Sequence, residues 1–411
     1  MARTANSKEK IFHIGGMYTY KYHDGRYADW GDLALRGSRI AIEEINESGL
    51  LGEDCIEMKD ENVVDYHCWP EGSESLAEDL FKRDIIAITG VDCSEPAVRI
   101  SKVAEKHRKP AISYGANASV LSSPIDFPFF FRVVTPSSAY ERYLIDIAAN
   151  FRLERIALFY TTDAWGTGAF SVAQTAAEEF GLEIAAVYGY PRDTSLEVVG
   201  RYMAEVKAQD IRNIFIMMPT PDTVIAFRAL TEQDMNQPGY AIFASEMTSA
   251  DETPDAIKGA FGYFAPMTKL YPSVKLDTFR ARLEKKLERS IDPNSKSFFY
   301  AVLGYDHIFA VGHAIKNAKE AGEKAIDGDI LMNYLRNVDF EGASGRISLS
   351  PGTNDRALMA VEIMNCHGYK EDGKTVDFVP VGFVDPLTGK LTLEESKILW
   401  PGRTTTPPKA E

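Results

Sequence analysis

The residue patterns that most often carry chemistry are incomplete in this chain. Gly166-Thr-Gly168 follows a strand-like run and invites a dinucleotide reading, but Ser171 stands where G-x-G-x-x-G needs its third glycine. No segment ends in the Gly-Lys-Ser/Thr of a phosphate loop. Gly342-Ala-Ser-Gly-Arg346 does not have the spacing of a G-x-S-x-G nucleophile elbow. His307 and His313 are six positions apart and project from different faces of a helix, which suits packing better than shared metal ligation. The four cysteines, Cys55, Cys68, Cys93 and Cys366, form no C-x-x-C pair, so their spacing suggests neither a zinc site nor a redox motif. Taken singly they read as small buried hydrophobes. Acidic residues are plentiful, but no spacing singles out a catalytic pair. The expectation is a protein that is not an enzyme and uses neither metal nor cofactor.

The elements around these residues point to binding. Strand-like runs at Ile11–Ile14, Ile85–Ile88, Ile156–Phe159, Ile214–Met217 and Tyr240–Phe243 alternate with helical patterns. Ala34, Ser38, Ala41 and Ile45 share one helical face, and Val302, Tyr305, Phe309 and Gly312 recur similarly between Phe298 and Ala321. Gly49 and Gly181 are placed as helix stops, and Pro96 sits in a first helical turn. Such alternation predicts an α/β fold of parallel sheets flanked by helices, with ligands bound beyond the carboxyl ends of the strands.

Composition narrows the class. The chain has 411 residues, 45% hydrophobic and 26% charged, enough for two domains with their own cores. A net charge of −15 excludes nucleic acid as a natural partner and disfavours an anionic membrane surface. No run of about 18 apolar residues suggests membrane insertion. The polar start, Met1–Lys10, lacks the apolar stretch of a signal peptide, so either the protein is cytoplasmic or its signal segment has been removed.

An ordered set of motifs carries a resemblance. They are Leu35-Arg-Gly37 leading to Asn46-Glu-Ser-Gly-Leu-Leu-Gly52, Ile86-Ala-Ile-Thr-Gly90 with Val91-Asp-Cys-Ser94, Pro110 to Asn117, and Phe131-Arg-Val-Val-Thr-Pro136. Tyr160-Thr-Thr-Asp-Ala-Trp-Gly166, Gly304-Tyr-Asp306, Phe340 to Gly345 and Ser350-Pro-Gly352 follow in order. In these the chain resembles the type I periplasmic binding proteins, specifically the leucine/isoleucine/valine-binding branch that serves ABC importers. The similarity covers about Ile11 to Asp355, and Ile398-Leu-Trp-Pro-Gly402 is also similar to the close of related receptor ligand-binding domains.

The resemblance implies two Rossmann-like lobes joined by a three-segment hinge near Thr135, Ala265 and Gly345. Residues 11–134 and 266–344 would form lobe 1, residues 135–265 and 345–399 lobe 2, and residues 1–10 and 400–411 irregular tails. Ser94 would hold a ligand carboxylate at a helix N-terminus, where exposed N–H groups and the helix dipole favour anions; the competing reading is a serine that only caps the helix. Gly115, Ala116 and Asn117 match a loop that presents backbone groups and one side chain. Trp30 and Trp165 match aromatic walls. Glu246 matches the acid that receives a ligand ammonium, against the plainer reading of an exposed strand-end glutamate. A Cys68–Cys93 disulfide is implied as well, and with it an oxidising compartment.

Two features depart from that pattern. The loop holding Tyr18, Tyr20, Tyr22, Tyr27 and Trp30 is long and aromatic, fitting either a flat or cationic ligand or a packed flap. Asp92 and Glu95 flank Ser94 and would repel a carboxylate there. The functional expectation is a periplasmic, monomeric solute-binding protein. It takes an amino acid or related polar or aromatic small-molecule ligand, closes at its hinge, and hands the ligand to an ABC permease. The alternative is a ligand-sensing receptor ectodomain, or a cytoplasmic amide-type regulator of the same fold.

Overall fold

The computed structural model describes residues 10–137, 140–245, 260–350, 352–357, 359–373, 376–385 and 388–409. The chain divides into two compact units. The first comprises Met1–Asn117, Leu121–Val134 and Leu270–Ala357, and the second Ala118–Val120, Thr135–Lys269 and Leu358–Glu411.

In chain order the first unit supplies β1 (Ile11–His13), β2 (Gly15–Tyr18), α1 (Asp29–Ser48), β3 (Cys55–Glu57), β4 (Val63–Asp65) and α2 (Ser73–Phe81). It continues with β5 (Ile88–Gly90), α3 (Ser94–His107), β6 (Ala111–Ser113) and β7 (Phe130–Arg132). The second unit follows with α4 (Tyr140–Asn150), β8 (Arg155–Thr161), α5 (Ala164–Phe180), β9 (Glu183–Tyr190) and α6 (Leu196–Ala208). Then come β10 (Asn213–Met217), α7 (Thr220–Glu232), β11 (Ala241–Ala244) and β12 (Phe264–Thr268). The chain returns to the first unit for α8 (Val274–Leu287), α9 (Lys296–Glu320), α10 (Gly328–Leu335), β13 (Asp339–Gly342) and β14 (Gly345–Ser348). It ends in the second with β15 (Val361–Tyr369), β16 (Val376–Val384) and β17 (Leu391–Leu393).

The first unit holds a five-stranded parallel sheet in the order β4-β2-β5-β6-β7. Every residue of β2, β5, β6 and β7 is buried, as strands covered on both faces require. Helix α9 is apolar on all sides because protein encloses it: Val302, Leu303, Ile308, Val311 and Ile315, spread around its circumference, are all buried. It packs along α1, where Ser38 Oγ lies 2.8 Å from the Gly304 carbonyl.

The second unit is built on an eight-stranded sheet, β17-β16-β15-β12-β11-β10-β8-β9. Strands β12 to β9 in that order are parallel, and β15, β16 and β17 extend the sheet antiparallel. Alternate residues of its central strands enter two separate cores. Ala157, Phe159, Ile214, Ile216 and Ile242 meet α6 and α7 on one face. Ile156, Leu158, Phe215, Met217 and Phe243 meet α4 and α5 on the other. This is the period-two geometry of a strand expressed as a three-layer unit.

Several local expectations shift. The strand read at Ile85–Ile88 begins only at Ile88. The hairpin β13–β14 lies within the first unit, so the chain leaves that unit after Ala357 rather than at Gly345. The tail is anchored at its start: Trp400 is buried against Phe151 and Phe264 and bridges Thr404, while residues 405–409 lack regular structure as expected. Gly49 and Gly181 do end α1 and α5 in left-handed conformation, at φ 68° and 74°.

Candidate ligand-binding site at the strand ends

In the first unit the strand order reverses direction between β2 and β5. Residues just past the carboxyl ends of those two strands frame the crevice where such sheets take ligands. Thr19 follows β2 and Asp92 follows β5, and they are bonded twice. Thr19 N–H donates to Asp92 Oδ2 at 2.8 Å and Thr19 O–H to Oδ1 at 2.8 Å. Tyr114, past β6, donates its hydroxyl to Oδ2 at 2.7 Å, and Tyr66, past β4, donates to Oδ1. The Tyr66 hydroxyl oxygen in turn accepts the Cys93 N–H at 2.7 Å. Burial raises the Asp92 carboxyl above its ordinary range, while hydrogen bonds from Tyr66, Tyr114 and Thr19 pull the other way. Burial, then the Asp92 charge, pushes the Tyr66 and Tyr114 hydroxyls well above theirs.

Asp92 therefore turns inward to four donors, which revises its sequence reading as a repelling neighbour of Ser94. Ser94 is the first residue of α3 and 7% exposed. The capping position belongs to Cys93, so the plain N-cap reading of Ser94 does not describe it. Cys93 is joined to Cys68 in a disulfide that ties the loop after β4 to the start of α3.

The Gly115 loop is more self-contained than the resemblance implied. The N–H groups of Gly115 and Ala116 donate to Ser113 Oγ at 3.1 and 2.8 Å, and the Ala116 carbonyl accepts from Arg132 Nη1 at 3.1 Å. Asn117 is buried at the loop's end. Trp30 is the second residue of α1, and its indole N–H donates to the Tyr22 hydroxyl at 3.0 Å.

The aromatic loop is mainly a packed flap. Tyr22 N–H donates to the Arg26 carbonyl at 2.8 Å and Lys21 bridges Tyr27, which makes a small hairpin. Tyr18 is buried with its hydroxyl on Ser38 Oγ at 2.8 Å, and burial pushes it up to about 12. Tyr27 is the exposed member.

One residue escaped the sequence reading. Tyr300, the fifth residue of α9, places its ring 5.4 Å from Trp30 and 6.0 Å from Tyr114. It is half-buried, whereas both neighbours are buried. The helical pattern read between Phe298 and Ala321 gave no sign that the start of this helix reaches the strand ends.

In the second unit the order reverses between β8 and β10. Trp165 stands just past β8, as the second residue of α5, and is 5% exposed. Asp163 caps that helix by accepting the Gly166 N–H at 2.9 Å and the Thr161 hydroxyl at 3.0 Å. Glu246 lies outside the described residues; the chain is described up to Ser245, buried just past β11. A cavity of about 600 Å³ elsewhere in this unit, lined by Arg155, Arg212, Pro238 and Lys409, opens at the amino ends of the strands, away from these residues. Two of its cations are paired, Arg212 with Asp210 at 2.8 Å and Arg155 with Glu183 at 3.7 Å. Among the described residues no group of three or more His, Cys, Asp or Glu is placed to hold a metal ion.

His307 and His313 serve packing. His307 Nε2 accepts the Gly90 N–H at 3.1 Å, and burial lowers its pKa to about 3. His313 stacks on Phe340 with ring centroids 4.3 Å apart.

Each unit has a switch point of the kind at which such sheets take ligands, and a disulfide stands beside the first. Residues 34–368 fit the model of the receptor family ligand binding region. The chain belongs to that family. As a member it has the α/β, type I periplasmic-binding-like fold expected from its motifs; the leucine/isoleucine/valine-binding branch is a finer assignment that the family match does not make. This ligand-binding region is 22% identical to Glutamate receptor 2.9 of Arabidopsis thaliana, over 82% of the chain and 38% of the relative. It is 21% identical to Metabotropic glutamate receptor-like protein E of Dictyostelium discoideum, over 93% of the chain and 46% of the relative. A shorter match, 26% identical over 43% of the chain and 23% of the relative, is to Taste receptor type 1 member 3 of Mus musculus. The ligand-binding region thus spans less than half the length of these relatives.

Proposed function

We propose that this chain is a ligand-sensing receptor domain that binds one small polar or aromatic molecule, an amino acid first among the classes to test, and transforms nothing. The observation that carries the reading is the gathering of Trp30, Tyr300, Ser94 and the Gly115 loop about Asp92 at the first unit's switch point. Trp165 and Glu246 are the contacts we assign to the second unit. The receptor names of the relatives support sensing over delivery to an ABC permease. The importer reading, in the leucine/isoleucine/valine-binding branch, rests on the order of motifs alone.

The Cys68–Cys93 disulfide supports an extracytoplasmic site, because such bonds persist in oxidising compartments. Native mass spectrometry of the purified protein tests the reading: a co-purified or added amino acid should appear at one per chain. Glu246→Ala should weaken an ammonium-bearing ligand at least tenfold, about 1.4 kcal/mol. An unchanged affinity would remove the amino-acid assignment, and catalytic turnover of a bound compound would remove the sensor.

A further inference from the structure

The carboxylate of Asp92 reaches each candidate ligand residue of the first unit through one short chain of contacts. Toward Trp30 the link is Thr19, bonded twice to Asp92. Gly31, next to Trp30, rests so closely on the Thr19 carbonyl that a methyl group there would overlap it. Toward Ser94 the link is Tyr66, whose hydroxyl donates to Asp92 and accepts the N–H of Cys93, the residue before Ser94. Toward the third loop the link is Tyr114, bonded to Asp92 at 2.7 Å and adjacent to Gly115. Gly115 also lies against Asp92 itself: a Cβ there would sit 2.9 Å from the Asp92 carbonyl oxygen.

Four donors from three loops on one carboxyl group form a polar network that is fully satisfied and rigid only while that group is present. Leucine or alanine at this position would strand Thr19 N–H and two phenols in a buried site. The sequence explains the choice of residue: the strand β5 ends at Gly90, so position 92 falls on the switch point between β2 and β5, where loops from both sides converge.

We propose that Asp92 is the positioning residue of the binding site, holding the segments that carry Trp30, Ser94 and Gly115 in register without itself touching the ligand. This rests on the ligand-binding reading given above. Affinity then depends on a group beneath the site, and the three segments loosen together when it is lost. The Cys68–Cys93 disulfide backs only the middle link, so it does not replace the carboxylate.

Amide hydrogen exchange read by mass spectrometry on the full chain tests this, for the wild type, Asp92→Asn and Tyr114→Phe. In Asp92→Asn, exchange should rise at least tenfold in peptides spanning residues 19–31, 93–97 and 114–117 together, with β10 and β11 unchanged. Tyr114→Phe removes a single hydroxyl and keeps the protein testable should Asp92→Asn fold poorly. It should still speed exchange at the Thr19 amide, which shares the Asp92 carboxyl with Tyr114. Loosening confined to residues 114–117, or spread evenly over both units, overturns the proposal. Calorimetric titration with the twenty common amino acids supplies the second arm. If the wild type binds one, both variants should raise its Kd tenfold or more at unchanged stoichiometry, and an unchanged Kd overturns the proposal. If the wild type binds none, the amino-acid assignment fails while the exchange pattern still decides whether Asp92 positions the loops.

Discussion

Arg132 and Asp355, 223 positions apart in the chain, meet in a buried bidentate ion pair, Nε to Oδ1 at 2.5 Å and Nη2 to Oδ2 at 3.1 Å. The backbones of the two segments are joined as well: Arg356 N–H donates to the Arg132 carbonyl at 3.1 Å. The chain leaves the first unit just past each of these residues, after Val134 and after Ala357. Arg132 also holds the Ala116 carbonyl at 3.1 Å, so one guanidinium serves a chain crossing and a loop of the proposed site. Arg356 reinforces the arrangement by donating to Ser344 Oγ at 2.7 Å. The same Ser344 bonds the buried carboxylate of Asp306, which also accepts the Ala343 N–H at 2.7 Å.

Removing one partner of a buried pair leaves the other charge uncompensated, typically at about 3–5 kcal/mol. Arg132→Met should therefore lower the urea unfolding free energy by roughly that amount. Arg132→Met with Asp355→Leu should be less damaging than Arg132→Met alone, because no unpaired carboxylate remains. A double variant as unstable as the sum of the singles would show that the pair acts through something other than mutual compensation.

Thiol titration under denaturing, non-reducing conditions should find two reactive thiols, Cys55 and Cys366. Four would contradict the disulfide. Reduction should lower stability by about 2–4 kcal/mol for a loop of this size, read as a shift in urea midpoint with and without reductant. Cys366, buried and pushed up to about 12 by that burial, should react only after unfolding.

His307 gives the fold a pH dependence of known sign. Its folded pKa is lowered to about 3 by burial, whereas the unfolded side chain titrates near the ordinary 6.5. Between those values the unfolded chain binds the extra proton. The contribution is complete above pH 6.5 and is lost as pH falls toward 3, by up to about 1.4 kcal/mol per pH unit. His313, lowered to about 4, acts in the same direction. His307→Gln should flatten the fall in urea midpoint between pH 7 and 5 relative to the wild type, because His313 remains in both. Equal slopes would mean that His307 takes up its proton in the folded protein over the same pH range as in the unfolded chain.

Gly115→Ala tests how tightly the site is built. The added methyl would stand 2.9 Å from the Asp92 carbonyl oxygen and 3.2 Å from its Cβ, neither of which can swing away. Overpacking of this kind typically destabilises by about 1–3 kcal/mol. A thermal melt should show the loss, and a neutral result would place the Gly115 backbone farther from Asp92 than described.

Much of this arrangement was legible in the chain. Alternation of strand-like and helical runs gave the α/β class because buried parallel strands read as continuous apolar stretches, as in Asn213–Met217. The disulfide came from motif resemblance, since four cysteines by spacing alone allow several pairings. The role of Asp92 was hidden because spacing places a side chain near another without saying which way it points. Its partners, Thr19, Tyr66 and Tyr114, come from three separate loops that only the sheet order brings together. Tyr300 was hidden for the same reason, 270 positions from Trp30 in the chain. The exit from the first unit was misplaced to Gly345 because the hairpin β13–β14 carries no sequence sign of which unit it joins.

The most direct test of the proposed ligand binding is calorimetric titration of the wild type, Ser94→Ala and Trp165→Ala with the same amino-acid panel. The expected result is one ligand per wild-type chain, with Kd raised at least tenfold by each substitution. A ligand whose affinity ignores both substitutions, or a wild type that binds no small molecule, would contradict it.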